Sequence, residues 1–260
     1  MKTVILAGGK GTRISEESII RPKPMVEIGG MPILWHIMKL YSFYGFNDFI
    51  ICCGYKGHVI KEYFADYFLH MSDVTFDFSS GNKMILHCNT VEPWKVTLVD
   101  TGEDSMTGYR INRIKHYIPS GEAFMLTYGD GVSDVNISGL VEFHKRQNKI
   151  ATLTAIQPAG KFGVLEMDTN GKIDKFNEKP RGEGGWINAG FMILDYDVFQ
   201  YLSDDESLIF ERQPLEQLAK DEMLCAYKHY GFWHCMDTIR DKEILNNMWR
   251  AGNAPWKVWE

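Results

Sequence analysis

The stretch Thr3-Val4-Ile5-Leu6-Ala7-Gly8-Gly9-Lys10-Gly11-Thr12-Arg13 decides how the rest of the chain is read. Val4–Ala7 is a short apolar run that ends in glycine, which suits a strand buried on both faces. Glycines directly after a first strand let backbone N–H groups approach an oxyanion closely. The loop is not a Walker loop, because Gly9-Lys10 is followed by Gly11 where Ser or Thr is required. It is not G-x-G-x-x-G either, because Ile14 stands at the third glycine position. Two cations accompany it, Arg13 in the loop and Lys23 in Arg21-Pro22-Lys23-Pro24. Arg offers phosphate a planar fork and Lys a point charge. Glycine, position and cations together point to a phosphate site. The plainer alternative is a tight turn with solvated charges.

Outward from this loop, strand-like and helix-like segments alternate. Pro32–Tyr44 carries Ile33, Leu34, Ile37, Met38 and Tyr41 at helical spacing, with Pro32 in the first turn. Phe49–Cys53 reads as a second buried strand stopped at Gly54, and Val59–Leu69 as a helix with Ile60, Tyr63, Phe64 and Phe68 inward. Short strands are expected at Val74–Phe78, Met84–His87 and Val96–Val99. Thr107 is placed to cap a helix running through Tyr117, with Ile111, Ile114 and Ile118 on one face. Ala123–Thr127 is a strand leading into Tyr128-Gly129-Asp130-Gly131; a helix at Ile137–Gln147 and a strand at Ala151–Ile156 follow.

Beyond this point Val164–Met167, Ile173–Asn177 and Ile187–Leu194 are shorter strands between Gly-rich turns, which favours antiparallel or mixed sheet. Helices are expected at Pro214–Lys220 and Ile239–Arg250. The expected fold is α/β, three-layer and Rossmann-like, with a mostly parallel mixed central sheet and a smaller antiparallel β addition. One domain is expected over residues 1–260. Within it, residues 1–150 and 151–260 are read as two parts. Ligands of such sheets bind beyond the carboxyl ends of the strands, which puts Gly8–Arg13, Gly54-Tyr55 and Gly129–Gly131 near one rim.

Composition narrows the function. With 45% hydrophobic, 13% aromatic and 24% charged residues over 260 positions, disorder is excluded as the main state. The net charge of -6 argues against a nucleic-acid partner, which calls for a basic surplus, but leaves small phosphorylated ligands open, for which a few local cations suffice. The five cysteines, Cys52, Cys53, Cys88, Cys225 and Cys235, form no C-x-x-C pair and read as reduced core thiols. No H-x-x-x-H spacing is present, so no His is given a metal role. The apolar run near the N-terminus is too short for a signal peptide, and no stretch approaches the ~20 residues of a membrane helix. The expectation is a cytoplasmic protein without an anchor.

Gly8-Gly9-Lys10-Gly11-Thr12-Arg13 with Pro22-Lys23-Pro24-Met25 resembles the signature of the sugar-1-phosphate nucleotidylyltransferases. Val26-Glu27-Ile28-Gly29-Gly30-Met31-Pro32-Ile33-Leu34-Trp35-His36-Ile37-Met38 and the segment from Gly231 to Lys242 resemble the cytidylyltransferase branch of that family, and the likeness runs nearly end to end. The resemblance implies the nucleotidyltransferase version of the fold. It also implies transfer of a cytidylyl group from CTP to α-D-glucose 1-phosphate, releasing pyrophosphate, with Mg²⁺ as cofactor.

By the same resemblance Leu6, Ala7, Gly8, Gly9, Lys10, Gly11, Thr12, Ser105, Arg110 and Gly129 contact nucleotide, although helix capping would also explain Ser105. Arg13, Lys23 and Lys179 carry catalysis. Asp130 and Asp237 hold the metal. Read from their neighbours alone, Asp130 is equally a turn residue and Asp237 equally a helix N-cap. Gly163, Glu178 and Asn188 are implied as sugar contacts. Their plainer readings are a strand-start glycine, half of a surface ion pair with Lys179, and a buried Asn bridging backbone groups.

A phosphate monoester is already ionised near neutral pH, its second pKa being roughly 6, so no Ser, Cys or His nucleophile is needed. The resemblance further implies a homo-oligomer, a hexamer, in deoxysugar synthesis for surface polysaccharide. Competing readings are thymidylyl or uridylyl transfer to a sugar 1-phosphate, a silent nucleotide-sensing subunit, and a glycosyltransferase, which would normally carry D-x-D where this chain has Gly129-Asp130-Gly131.

Overall fold

A computed structural model describes residues 1–79, 81–87, 91–158, 164–167, 173–177 and 185–260. Its centre is a seven-stranded sheet. Numbered within this sheet in chain order, the strands are β1 Thr3–Leu6, β2 Asp48–Cys53, β3 Lys95–Asp100, β4 Phe124–Tyr128, β5 Ala151–Ile156, β6 Ile187–Leu194 and β7 Leu224–His229. Their spatial order is β7-β5-β6-β4-β1-β2-β3. β1 pairs parallel with both β2 and β4, β2 with β3, and β5 with β7. β6 alone runs antiparallel, between β4 and β5. The sheet is mixed and mostly parallel, as expected. β7, absent from the reading of the sequence, lies at one edge. Its alternation of half-buried and exposed residues leaves no continuous apolar run to mark it.

Both faces are covered, and strand alternation assigns residues to them. Ile5, Phe49, Ile51, Met125, Phe191 and Ile193 belong to one buried cluster, with Ile33, Ile37 and Tyr41 of the helix Ile33–Phe43 and with Leu140 of Ile137–Gln147. Val4, Leu6, Ile50, Leu126, Met192 and Leu194 point the other way, against Ile111, Ile114, Val198 and Leu218. A period of 2 in each strand thus feeds two cores, giving three layers.

Several expectations shift in detail. The helix expected over Val59–Leu69 is two, Gly57–Ala65 and Tyr67–His70, broken at Asp66. The break changes the helical phase, so Tyr67 is buried whereas Phe68 is exposed. The helix expected from Thr107 to Tyr117 ends at Arg113 and is followed by a separate turn, Lys115–Tyr117. Val74–Asp77 and Lys83–Leu86 form a hairpin of their own. Val164–Met167 pairs antiparallel with Ile173–Asn177, outside the central sheet.

The C-terminal tail docks on the domain. Trp256 is 1% exposed and stacks on Phe232 and Trp249, and its indole N–H donates to His36 Nδ1 at 3.3 Å. His36 Nε2 donates to the Ile28 carbonyl at 2.8 Å, which makes the ring neutral with its proton on Nε2. Among the described residues no helix is long and apolar enough to cross a membrane.

Candidate active site

Four loops meet at the carboxyl ends of β1, β2, β3 and β4. The glycine loop leaves β1 after Leu6, and its first turns are tied to neighbouring strands: Ala7 N donates to Cys52 O, Tyr55 N to Gly8 O and Gly129 N to Leu6 O. Gly11 sits at φ +62°, where a Cβ would be strained and would lie 2.6 Å from Ser18 Oγ. Gly8 needs to be glycine for a different reason: a Cβ there would lie 2.1 Å from the Arg110 guanidinium.

Arg110 is buried, and its guanidinium is taken up by the protein. It donates to Thr101 Oγ1 and Gly102 O at 2.7 Å, to Gly8 O at 3.0 Å and to Glu103 O at 3.2 Å. It therefore ties the β3 loop to the glycine loop, and carbonyls rather than an open space occupy its strongest donors. Ser105 is also buried and donates to Thr101 O at 2.7 Å, shaping the same loop rather than capping the helix. Thr107 does not cap either. It is the first helical residue, and its hydroxyl donates to Glu211 Oε2 at 2.6 Å and accepts from Phe210 N.

These loops enclose a cavity of about 290 Å³ lined by Leu6, Ala7, Gly8, Gly9, Gly11, Thr12, Arg13, Lys23, Ser105, Arg110, Gly129 and Asp130. Of the ten positions expected to touch nucleotide, all but Lys10 line this space. Lys10 instead reaches the exposed Asp104 at 2.5 Å. A second cavity of about 340 Å³ shares Arg13, Tyr128 and Asp130 with the first and adds Asn188, Glu211, Trp233 and Cys235. Asn188 Oδ1 accepts from Gly190 N at 2.8 Å, so one end of its amide is held by backbone. Gly163, Glu178 and Lys179 lie outside the described residues.

A short antiparallel pair builds the junction of the two cavities. Gly131–Ser133 pairs with Trp233–Cys235 in the register Cys235↔Gly131, and Met236 N donates to Asp130 O at 2.8 Å. This brings Asp237 beside Asp130. Lys23 Nζ lies between the two carboxylates, donating at 2.6 Å to Asp130 Oδ2 and at 2.6 Å to Asp237 Oδ1. Burial works against its charge, but Asp130 and Asp237 prevail and hold the ammonium above the ordinary lysine pKa. Arg13 Nη1 reaches the other Asp237 oxygen at 2.5 Å. The N-cap reading of Asp237 falls to its neighbour. Thr238 caps Ile239–Arg250, and Asp241 closes a capping box on it. Asp237 contributes only its backbone N–H to Asp241.

Oxygen donors of Asp130 and Asp237 with the sulfur of Cys235 lie within 4.8 Å of one another. An ammonium already sits on the two carboxylates, so this donor set accepts a cation, and its oxygens suit a hard divalent ion. Cys235 escaped the sequence reading because a lone cysteine in an apolar strand looks like a core thiol. Its strand partner Gly131 is 104 positions earlier, and no local signal marks that pairing. Burial, then the charge of Asp130, pushes the Cys235 thiol above its ordinary pKa. Glu211 and Tyr128 were also missed; the Tyr128 hydroxyl donates to Glu211 within the second cavity.

Residues 2–234 match the family described as nucleotidyl transferase. The chain belongs to this family. Over 260 residues, all of both chains, it is 57% identical to the glucose-1-phosphate cytidylyltransferase of Salmonella typhi. It is 46% identical over 259 residues, again all of both chains, to the probable glucose-1-phosphate cytidylyltransferase of Bacillus subtilis. This nucleotidyl transferase therefore sits in the branch that holds those two proteins. A solved UDP-glucose pyrophosphorylase in complex with UDP-glucose superposes with a TM-score of 0.69 at 17% identity, covering 96% of this chain and 98% of that one, a likeness of fold.

Proposed function

We propose that this protein transfers the cytidylyl group of CTP to α-D-glucose 1-phosphate, giving CDP-glucose and pyrophosphate. The observation that carries the reading is the junction of Lys23, Asp130, Asp237 and Arg13 between two adjoining cavities, in a chain so similar throughout to the Salmonella cytidylyltransferase. The cavity under the glycine loop takes the nucleotide. The cavity lined by Asn188 takes the sugar phosphate, and the family resemblance adds Gly163, Glu178 and Lys179 as its contacts.

The reaction joins two anions. Bringing them together costs Coulomb repulsion unless positive charge lies between them. Backbone N–H groups of the glycine loop and Arg13 hold the triphosphate. Lys23 lies where the α-phosphate meets the sugar phosphate, and Lys179 grips the sugar phosphate. The already ionised phosphate oxygen of the sugar attacks the α-phosphorus in line, and pyrophosphate leaves. Catalysis is then positioning and charge neutralisation, with no covalent intermediate on the protein. Asp130 and Asp237 would hold Mg²⁺, which supplies charge neutralisation to phosphate oxygens when bound.

Arg110 and Ser105 serve the nucleotide by holding the loops in shape. The proposal keeps a mainly nucleotide-binding part, 1–150, and a mainly sugar-phosphate-binding and C-terminal part, 151–260, although Arg13, Tyr128 and Asp130 of the first part also line the second cavity and Asp237 of the second part bonds Lys23. A cytoplasmic homo-oligomer, a hexamer, acting in deoxysugar and O-antigen synthesis completes the proposal. The exposed Phe76, Phe78, Met84, Ile85 and Leu86 of the separate hairpin favour self-association.

The deciding experiment measures pyrophosphate release across CTP, UTP and dTTP against several sugar 1-phosphates, with and without Mg²⁺. CTP with glucose 1-phosphate and Mg²⁺ should give the highest kcat/KM. Preference for UTP or dTTP would replace this reading with uridylyl or thymidylyl transfer.

A further inference from the structure

We propose that Cys235 is a third protein donor beside Asp130 and Asp237, and that this centre therefore takes thiophilic divalent ions such as Zn²⁺ and Cd²⁺ in competition with Mg²⁺. The placement is built into the fold. In the strand Trp233–Cys235 side chains alternate, so Trp233 and Cys235 line the second cavity while His234 turns away to Asp241. The register opposite Gly131 sets the sulfur next to the carboxylate that follows β4. One donor atom from each of the three residues falls within 4.8 Å of the others; all three are half-buried, and Asp130 and Cys235 stand on the wall of the second cavity. That the two carboxylates receive a cation is seen directly, because Lys23 bonds both.

The cysteine changes which ion the centre prefers. Mg²⁺ takes oxygen ligands and keeps several waters, so the sulfur adds nothing for it. Thiolate is a soft ligand that selects ions such as Zn²⁺, and two carboxylates with one thiolate leave a tetrahedral ion one open position. On binding, the S–H bond breaks, the proton passes to solvent, and a sulfur–metal bond forms without any change of oxidation state. The incoming ion competes with Lys23 for the same carboxylate oxygens. The neighbouring cysteines of β2 offer no such site, since Cys52 and Cys53 are buried in the two cores.

The inference rests on the reading of Asp130 and Asp237 as metal ligands, and the test separates the two. The full-length protein is titrated with Cd²⁺ while the ultraviolet thiolate-to-cadmium charge-transfer band is followed, and Mg²⁺ binding is measured separately by calorimetry. The unsubstituted protein should develop a saturable band that Mg²⁺ suppresses. In Cys235→Ser the band should be lost and Cd²⁺ affinity should fall about tenfold or more, at least the loss seen when a supporting ligand is removed. Cys225→Ser should keep the band. An unaltered band and affinity in Cys235→Ser would overturn the inference. Unchanged Mg²⁺ binding in Asp237→Asn would instead overturn the reading of Asp237.

Discussion

Lys23 and Asp237 stand 214 positions apart, yet Nζ of one donates to Oδ1 of the other at 2.6 Å. The bond closes the site, because the glycine-loop half and the C-terminal half of the chain meet there. Asp130 on the same ammonium makes the contact three-way: removing either carboxylate takes a charged partner from Lys23, and removing Lys23 takes one from both.

Asp237→Asn should lower turnover roughly a hundredfold or more, the scale for losing one group that neutralises charge at a reacting centre. Stability should change little, because the helix that follows is capped by Thr238 and Asp241, and Asp241 uses only the backbone N–H of residue 237. Pyrophosphate release over a Mg²⁺ series, with a urea unfolding curve, reads both effects. Equal loss of stability and activity would mean that the carboxylate is structural.

Arg110→Leu should weaken CTP use and also destabilise the fold. Removing the guanidinium takes a donor from the Gly8, Gly102 and Glu103 carbonyls; Gly8 O keeps Tyr55 N, and each carbonyl left buried and unpaired costs about 1–3 kcal/mol. KM for CTP should rise more than KM for the sugar phosphate. Gly8→Ala should act on the same coupling, because its Cβ would press on that guanidinium. Urea unfolding and two-substrate kinetics test the pair.

Lys179→Ala should raise KM for glucose 1-phosphate more than KM for CTP. The expectation follows from its proposed hold on the sugar phosphate. An equal rise for both substrates in initial-rate measurements would remove that role.

His36 makes stability depend on pH. Burial lowers its pKa from 6.5 to about 4, so in the folded protein it stays neutral where the unfolded chain binds a proton. The stabilising contribution is complete above the unfolded value and is lost as pH falls from 6.5 towards 4. Between pH 7 and about pH 5 the loss should amount to roughly 2 kcal/mol. His36→Gln, which has no titrating ring, should show a flatter profile by that amount when unfolding free energies are compared at the two pH values.

The strands Thr3–Leu6, Asp48–Cys53 and Phe124–Tyr128 were legible because each is a short apolar run cut off by glycine, and burial on both faces requires that pattern. The first strand, the helix Ile137–Gln147 and the strand Ile187–Leu194 needed nothing beyond period and punctuation. The edge strand Leu224–His229 was not legible, since its neighbour β5 supplies the hydrogen bonds that define it. The break at Asp66 was hidden for a similar reason: apolar spacing continued through it.

For the site, residues beside glycine and proline were determined locally. The backbone of a loop such as Gly8–Arg13 is set by side chains that are missing, and that shows in one dimension. What only the tertiary structure decided is which distant groups share a space. Arg110 turns inward because four carbonyls converge on it from three loops. Asp237 is released from capping because Thr238 does that work. Cys235 joins two carboxylates because a three-residue strand pairs with Gly131 in one register. Such proximities come from packing a sheet edge against a loop. They depend on the whole core rather than on any neighbouring residue, so no stretch of the chain carries them by itself.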